Sequence, residues 1–284
     1  MKTRITVLVE NNVRGRNLVG EHGLAYLIES GPHRVLFDTG QGPAIQNNVA
    51  VWGIDLARLD AIALSHGHYD HTGGLARLPP VRGGVRVFLH PEALGEKYSR
   101  HSDGTAHDIG MPEGAREALR RPGVEVVLSR QPTRLVDGVW LTGEIPRLTP
   151  YEDVGGAFYT DADCTCPDPL LDDQSLVIPT GQGAVVLLGC AHAGVVNILQ
   201  HVMATMGEKR ILALIGGMHL LHATEERLKA TLDFLDASGV QWVAPCHCTG
   251  SGATLALRQH LGARFRDCQV GSTYAFDGAG ADKR

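Results

Sequence analysis

The sequence predicts a mixed α/β fold in a single domain, residues 1–284. Three observations carry that expectation. Short apolar runs of strand character fill the first half, and strands alternate with amphipathic helices in the last third. No linker, repeat or low-complexity segment divides a chain that is 43% hydrophobic and long enough to bury a proper core.

Taken in order, ITVLV after the basic MKTR reads as a first strand, because the h-region of a secretory signal needs a longer apolar run. LAYLIES and HRVLFD, joined at Gly31-Pro32, read as a hairpin. AIALS is a buried strand by its apolar content, and TGGLARL opens a helix after it. VRVFLH, VEVVLS, VWLTGEI, SLVIP and AVVLLG follow as strands. Residues 95–118, polar and carrying His101, Asp103, His107 and Asp108, read as a long loop or lid. ILALIGG is a strand before the helix TEERLKATLDFLDASG, with Thr224 as N-cap, Glu225 and Glu226 in the first turn and Gly239 at the C-terminal end. VQWVAP and the helix GATLALRQHLG complete the pattern.

Net charge is −5 and no basic run occurs, which argues against a surface that tracks nucleic-acid phosphates. Nothing approaches the roughly 20 apolar residues of a membrane span. A soluble, cytoplasmic protein acting on a small molecule is expected. The six cysteines, Cys164, Cys166, Cys190, Cys246, Cys248 and Cys268, show no disulfide framework and read as reduced thiols.

The chemistry concentrates in LSHGHYDHTGG, residues 64–74. His66, His68, Asp70 and His71 occupy four of six consecutive positions at a strand end. A polar surface loop rarely holds that density, and structural zinc sites are usually closed by cysteines. Imidazole with carboxylate suits zinc, with manganese and iron as alternatives. Adjacent Asp70 and His71 cannot easily face the same ion as His66 and His68, so two metal positions are expected. Such a pair can activate a bridging water.

H-x-H-x-D-H after a strand, with RVLFDTG upstream, resembles the signature of the metallo-β-lactamase superfamily. The resemblance covers nearly the whole chain. It implies a four-layer αβ/βα sandwich, two mixed β-sheets flanked by helices, with metals at one edge. NNVAVWGIDLARLDAIALSHGHYDHTGGL, LTGEIPRLTPYE, DDQSLVI, LLGCAHAG, LIGGMHL and APCHCTG are further similar to ribofuranosylaminobenzene phosphate synthase-like metallohydrolases related to the methanopterin pathway.

The resemblance implies further ligands at later strand ends. In LLGCAHAG the matching position is His192 or Cys190, the latter otherwise a small buried thiol. His247 in APCHCTG would join Asp70 and His71 at the second ion, with Cys246 and Cys248 turned away along an extended segment. His219 in LIGGMHL is a ligand, a proton donor to substrate or an orienting neighbour. His222 is a weaker candidate, and His33, His90, His201 and His260 read as surface or helix-face residues. Many superfamily hydrolases carry a histidine where this chain has DPLLDDQSLVI, so Asp173 or His192 takes that place. Asp38 would orient a ligand histidine by hydrogen bonds, unless it merely caps a turn.

On the substrate side, Arg147 and Glu144 in GEIPR and His22 are candidates, and Glu10, Asn11 and Glu21 either rim the same edge or are solvated. The expected activity is hydrolysis of a phosphoester, ester or lactone by a metal-bridging hydroxide, with Asp70 or His219 moving the proton. Phosphoribosyl transfer to an aminobenzoate-type acceptor is the alternative, for which only Arg147, Lys97, Arg100, Arg14 and Arg16 supply cations. Iron-dependent redox chemistry and a non-catalytic metal-binding module are two more. Walker-type, dinucleotide-binding and nucleophile-elbow motifs are absent from the sequence.

Overall fold

A computed structural model describes residues 2–207 and 210–277. The first sheet holds β1 (Lys2–Val9), β2 (Ala25–Ser30), β3 (His33–Phe37), β4 (Ala61–Ala63), β5 (Val85–Leu89), β8 (Val124–Leu128) and β16 (Thr273–Asp277), in the order β16-β1-β2-β3-β4-β5-β8. The second runs β15-β14-β13-β12-β10-β9, from β9 (Thr133–Val136), β10 (Val139–Leu141), β12 (Leu176–Thr180), β13 (Gly183–Leu188), β14 (Ile211–Gly217) and β15 (Trp242–Cys246). A third, small sheet pairs β6 (Tyr98–Arg100) with β7 (Ala106–Asp108) and β11 (Phe158–Tyr159). The helices are α1 (Pro43–Trp52), α2 (Tyr69–Thr72), α3 (Glu113–Leu119), α4 (Val195–Thr205), α5 (Glu225–Ala237) and α6 (Ser251–Leu261). No helix among the described residues is long and apolar enough to cross a membrane.

Three apolar clusters define four layers. Ile5, Tyr26 and Phe37 of the first sheet meet Val139, Leu187 and Ile215 of the second between the sheets. Ile198, Leu235 and Leu257 cover the second sheet with α4–α6, while Ile45, Leu75 and Ala115 cover the first with α1 and α3. Strands covered on both faces read as continuous apolar runs, which is why AVVLLG shows no alternation. The four-layer αβ/βα sandwich is thus the observed fold.

Both sheets are mixed. Strands β3, β4 and β5 run parallel, as do β13, β14 and β15. Residues just past the C-terminal ends of β3, β4, β13, β14 and β15 supply the site described below. Carboxyl ends of parallel strands are where open α/β sheets commonly build ligand sites.

Local details depart from the sequence expectation where partners are distant. The helix expected at TGGLARL begins earlier, at Tyr69, and passes into a 3₁₀ segment at Gly73–Arg77. A Cβ on Gly74 would lie 1.9 Å from the Thr39 carbonyl oxygen, so the chain there packs backbone on backbone. Gly74→Ala should therefore cost about 3 kcal/mol, in line with overpacking of a closed contact. Urea unfolding measures it, and a loss below about 1 kcal/mol would show that the contact yields.

Helix α4 has Val195 and Val196 in its first turn and reads locally as strand. Its N-terminus is satisfied by Glu152, whose carboxylate accepts from the amides of Val196 and Asn197. Glu21 does the same for α1, accepting from Gln41, Gly42 and Ala44. Helix α5 follows its local signals: Thr224 Oγ1 accepts from the Arg227 amide, and Gly239 takes a left-handed φ of 69°.

Candidate metal centre

At the shared sheet edge, four strand ends bend through left-handed, non-glycine residues: Asp38 (φ 57°), Ala191 (58°), His219 (46°) and His247 (51°). Such conformations are costly and cluster where a fold aims side chains at a site. These four lie just after β3, β13, β14 and β15, and they turn the chain inward against the loop 65–71.

His66, His68 and His192 offer ring nitrogens that all lie within 4.8 Å of one another. Tautomers follow from the partners. Ser65 Oγ donates to Asp38 Oδ2 (2.7 Å) and so accepts from His66 Nδ1–H (2.9 Å). His66 Nε2 is left as a lone pair facing His68 Nδ1 at 2.9 Å. His192 Nδ1–H donates to the Val154 carbonyl (2.8 Å), which leaves its buried Nε2 without a partner among the described residues. Burial, then neighbouring imidazoles, hold His66 and His192 well below the usual histidine range; burial lowers His68 to about 3. All three are neutral, as metal ligands must be.

Asp70, His71 and His247 form the second group. Asp70 Oδ2 lies 3.2 Å from His247 Nε2, 3.1 Å from His22 Nε2 and 3.7 Å from His71 Nε2. His71 Nδ1–H donates to Asp38 Oδ2 (2.7 Å), and His247 Nδ1–H to Asn11 Oδ1 (2.8 Å). Their Nε2 atoms then face each other at 3.2 Å, with Cys190 Sγ 3.1 Å from His71 Nε2. Burial opposes charge on His71, yet Asp38 and Asp70 outweigh it and raise the group to about 9. The field that draws a proton to this nitrogen draws a cation equally well.

The residues present therefore fit metal ions. Convergent lone pairs on the neutral imidazoles of His66, His68 and His192, with an adjoining carboxylate, a thiol and the cation-attracting field at His71, form a donor set that protons alone do not satisfy. A cavity of about 270 Å³ opens onto both groups, lined by His68, Asp70, Cys190, His192, His219 and His247 among others.

A sequence profile of the metallo-beta-lactamase superfamily matches residues 18–164. The chain belongs to this superfamily. It is 29% identical over 266 residues, 90% of each chain, to the 7,8-dihydropterin-6-methyl-4-(beta-D-ribofuranosyl)-aminobenzene-5'-phosphate synthase of Methanocaldococcus jannaschii. Its structure is similar to that of Tm1679, a metal-dependent hydrolase of the beta-lactamase superfamily, at 33% identity, 96% and 98% coverage and a TM-score of 0.82. Zinc-bound PqqB from Methylobacterium extorquens shares the fold at 12% identity and a TM-score of 0.59, with 95% and 99% coverage.

Within this superfamily fold, several residues singled out from sequence fall elsewhere. Arg147 is not at the cavity: its guanidinium donates to the carbonyls of His192, Pro169 and Leu170 and so ties two loops together. Glu144 accepts from Arg130 and pairs with His90 at 3.1 Å, also away from the cavity. His90 is fully buried rather than a surface residue. Asp173 belongs to no donor group among the described residues; its Oδ2 accepts from the Ala193 amide at 2.8 Å and steadies the turn that carries His192, while burial raises its carboxyl to about 6. Cys248 does not turn away, because the left-handed His247 breaks the extended alternation. Its Sγ lies with Cys190 and His247 at the cavity wall, whereas Cys246 packs inward against Tyr26. Cys164 and Cys166 belong to no donor group among the described residues.

Glu10 and Asn11 take part through His247, not as a rim. Glu10 is buried and accepts from the His247 amide at 2.7 Å. The region 95–118 supplies β6, β7 and α3, and its Ser99, His101 and Ile109 line the cavity.

Asp38 accepts from Ser65 N, Ser65 Oγ and His71 Nδ1, all at 2.7 Å. Asp38→Asn should weaken zinc binding 10–100-fold in competition with a chromophoric chelator, as expected for a partner that orients a ligand. A change under threefold would mean that His71 is oriented by other contacts.

Proposed function

We propose that this chain is a hydrolase dependent on two divalent ions, acting on a phosphoester, ester or lactone of a small molecule. His66, His68 and His192 would hold one ion, and Asp70, His71 and His247 the other, with Cys190 beside both. The convergence of these donors at one cavity carries the reading: the ring nitrogens of His66, His68 and His192 lie within 4.8 Å of one another, and Asp70, His71 and His247 within 3.7 Å. Zinc suits nitrogen, carboxylate and thiol donors best; manganese and iron are the alternatives. Bound ions would supply an activated water and Lewis-acid stabilisation of developing negative charge. The protein's own part is to hold His66, His68 and His192 neutral, set a cation-attracting field at His71, orient the rings through Asp38, Ser65, Asn11 and Val154, and wall the cavity. His219, on that wall with its ring 4.2 Å from the His192 ring, would hand a proton to the leaving group.

Likeness to a synthase over 90% of the chain favours a second reading, phosphoribosyl transfer to an aminobenzoate-type acceptor. A diphosphate leaving group calls for several cations at the cavity. Lys97 is buried between Asp168 and Asp172, Arg100 donates to the carbonyls of Asp163 and Cys164, and Arg147 is engaged as described. Among the described residues no lysine or arginine lines the cavity. Hydrolysis is the better supported.

The test compares zinc-loaded and chelator-stripped protein on an aryl phosphodiester, an aryl ester and a lactone, and on phosphoribosyl diphosphate with an aminobenzoate. Zinc-dependent hydrolysis of one of the first three is expected. Transfer to the aminobenzoate without hydrolysis would overturn the proposal.

A further inference from the structure

The cavity wall opposite the donor groups restricts what can sit beside them. It is built by the small sheet: Ser99 follows Tyr98 on β6, Ile109 follows β7, and Phe158 opens β11. The Phe158 ring lies 5.3 Å from the rings of His68 and His192 and 6.0 Å from that of His219. Tyr69, Ile109 and Leu221 line the same cavity.

This wall is held firmly. The Ile109 carbonyl accepts from the Tyr69 amide at 2.9 Å, and Lys97, one residue before β6, is locked at 2.9 Å to both Asp168 and Asp172. Charge is correspondingly scarce. Among the described residues no lysine or arginine lines the cavity: Lys97, Arg100 and Arg147 donate to carboxylates or carbonyls outside it. Arg227, which donates through Nη1 to Asp153 and leaves Nε and Nη2 unpartnered among the described residues, is not in its lining. The polar lining is serine, the Tyr69 hydroxyl, imidazole, thiol and Asp70. A second anionic group placed against Phe158, Ile109 and Leu221 would meet an apolar surface and lose its hydration without a lysine or arginine partner in the lining among the described residues. A planar apolar group would instead stack against Phe158. An apolar cavity of about 150 Å³ accepts one benzene ring, so about 270 Å³ leaves room for one ring beside a head group.

Resting on the hydrolase reading, we infer that the substrate is a small ester whose hydrolysable head group is joined to one planar apolar group and carries no second anion. Phe158 and Leu221 select it; neither takes part in the chemistry.

Calorimetric titration of the zinc-loaded full chain tests this with two non-hydrolysable probes of similar size, phenylphosphonate and 3-phosphonopropionate. Phenylphosphonate should bind at least about tenfold more tightly, a difference typical of one ring buried against an aromatic wall. Phe158→Ala should reduce that preference to below about threefold while leaving 3-phosphonopropionate unchanged. Leu221 is 59% exposed, so Leu221→Arg leaves the fold intact, and it should strengthen 3-phosphonopropionate binding severalfold. Equal or tighter binding of 3-phosphonopropionate by the unaltered chain would overturn the inference. A phenylphosphonate preference without turnover of any ester would sink the hydrolase reading alone and leave the pocket's selectivity standing.

Discussion

Asp70→Ala is expected to lower the zinc-dependent turnover of an aryl ester by at least about 100-fold. Groups that merely orient a metal ligand cost 10–100-fold when removed, and Asp70 faces the donor set directly. Its Oδ2 lies within 3.7 Å of three imidazoles, those of His22, His71 and His247. Burial disfavours its charge, but those imidazoles hold the carboxyl well below its usual range. With alanine in its place, the Nε2 atoms of His71 and His247 face each other at 3.2 Å without the carboxylate between them, and a second ion would lose its anionic oxygen donor. Initial rates at saturating zinc measure the effect, with circular dichroism to check folding. A fall of less than tenfold would mean that Asp70 is dispensable for the second position.

The largest expected loss of stability lies outside the donor set, at Lys97. Its ammonium is buried and contacts Asp168 Oδ2 and Asp172 Oδ1, each at 2.9 Å; Asp172 Oδ2 also accepts from the Gly67 amide at 2.7 Å. One cation therefore neutralises two buried carboxylates and joins the small sheet, the segment 168–174 and the histidine loop. Lys97→Met keeps the stem's volume but strands both carboxylates, and should cost about 3–5 kcal/mol, the range for breaking a buried ion pair from one side. The triple variant Lys97→Met, Asp168→Asn, Asp172→Asn should recover much of the loss, because no unpaired charge remains. Denaturant unfolding of the two variants settles it. A loss below about 1 kcal/mol for Lys97→Met would show that water reaches the site.

How much of this was legible in sequence depended on the distance between partners. His66, His68, Asp70 and His71 stand in one loop, so spacing alone brought them together. His192, with Cys190 as its alternative, and His247 follow from the resemblance to the superfamily, whose later ligands stand at the ends of apolar strands. Cys248 was misjudged because alternation assumes extended backbone, and only the structure shows His247 at φ 51°. Lys97 and Arg147 look like free cations in a sequence; their carboxylates and carbonyls lie 22–75 positions away. Helices α1 and α4 were invisible for the same reason, since Glu21 and Glu152 cap them from remote segments. Glu10 and Asn11 are legible as residues after the first strand that rim the edge or are solvated, but their place behind His247, at the other end of the chain, has no local signal.

The account rests on two ion positions, and anomalous scattering from crystals of zinc-loaded protein, collected on either side of the zinc edge, tests it most directly. It predicts two peaks, one contacted by His66, His68 and His192 and the other by Asp70, His71 and His247. A single peak, or zinc held by Cys190 and Cys248 in place of either histidine group, would contradict it.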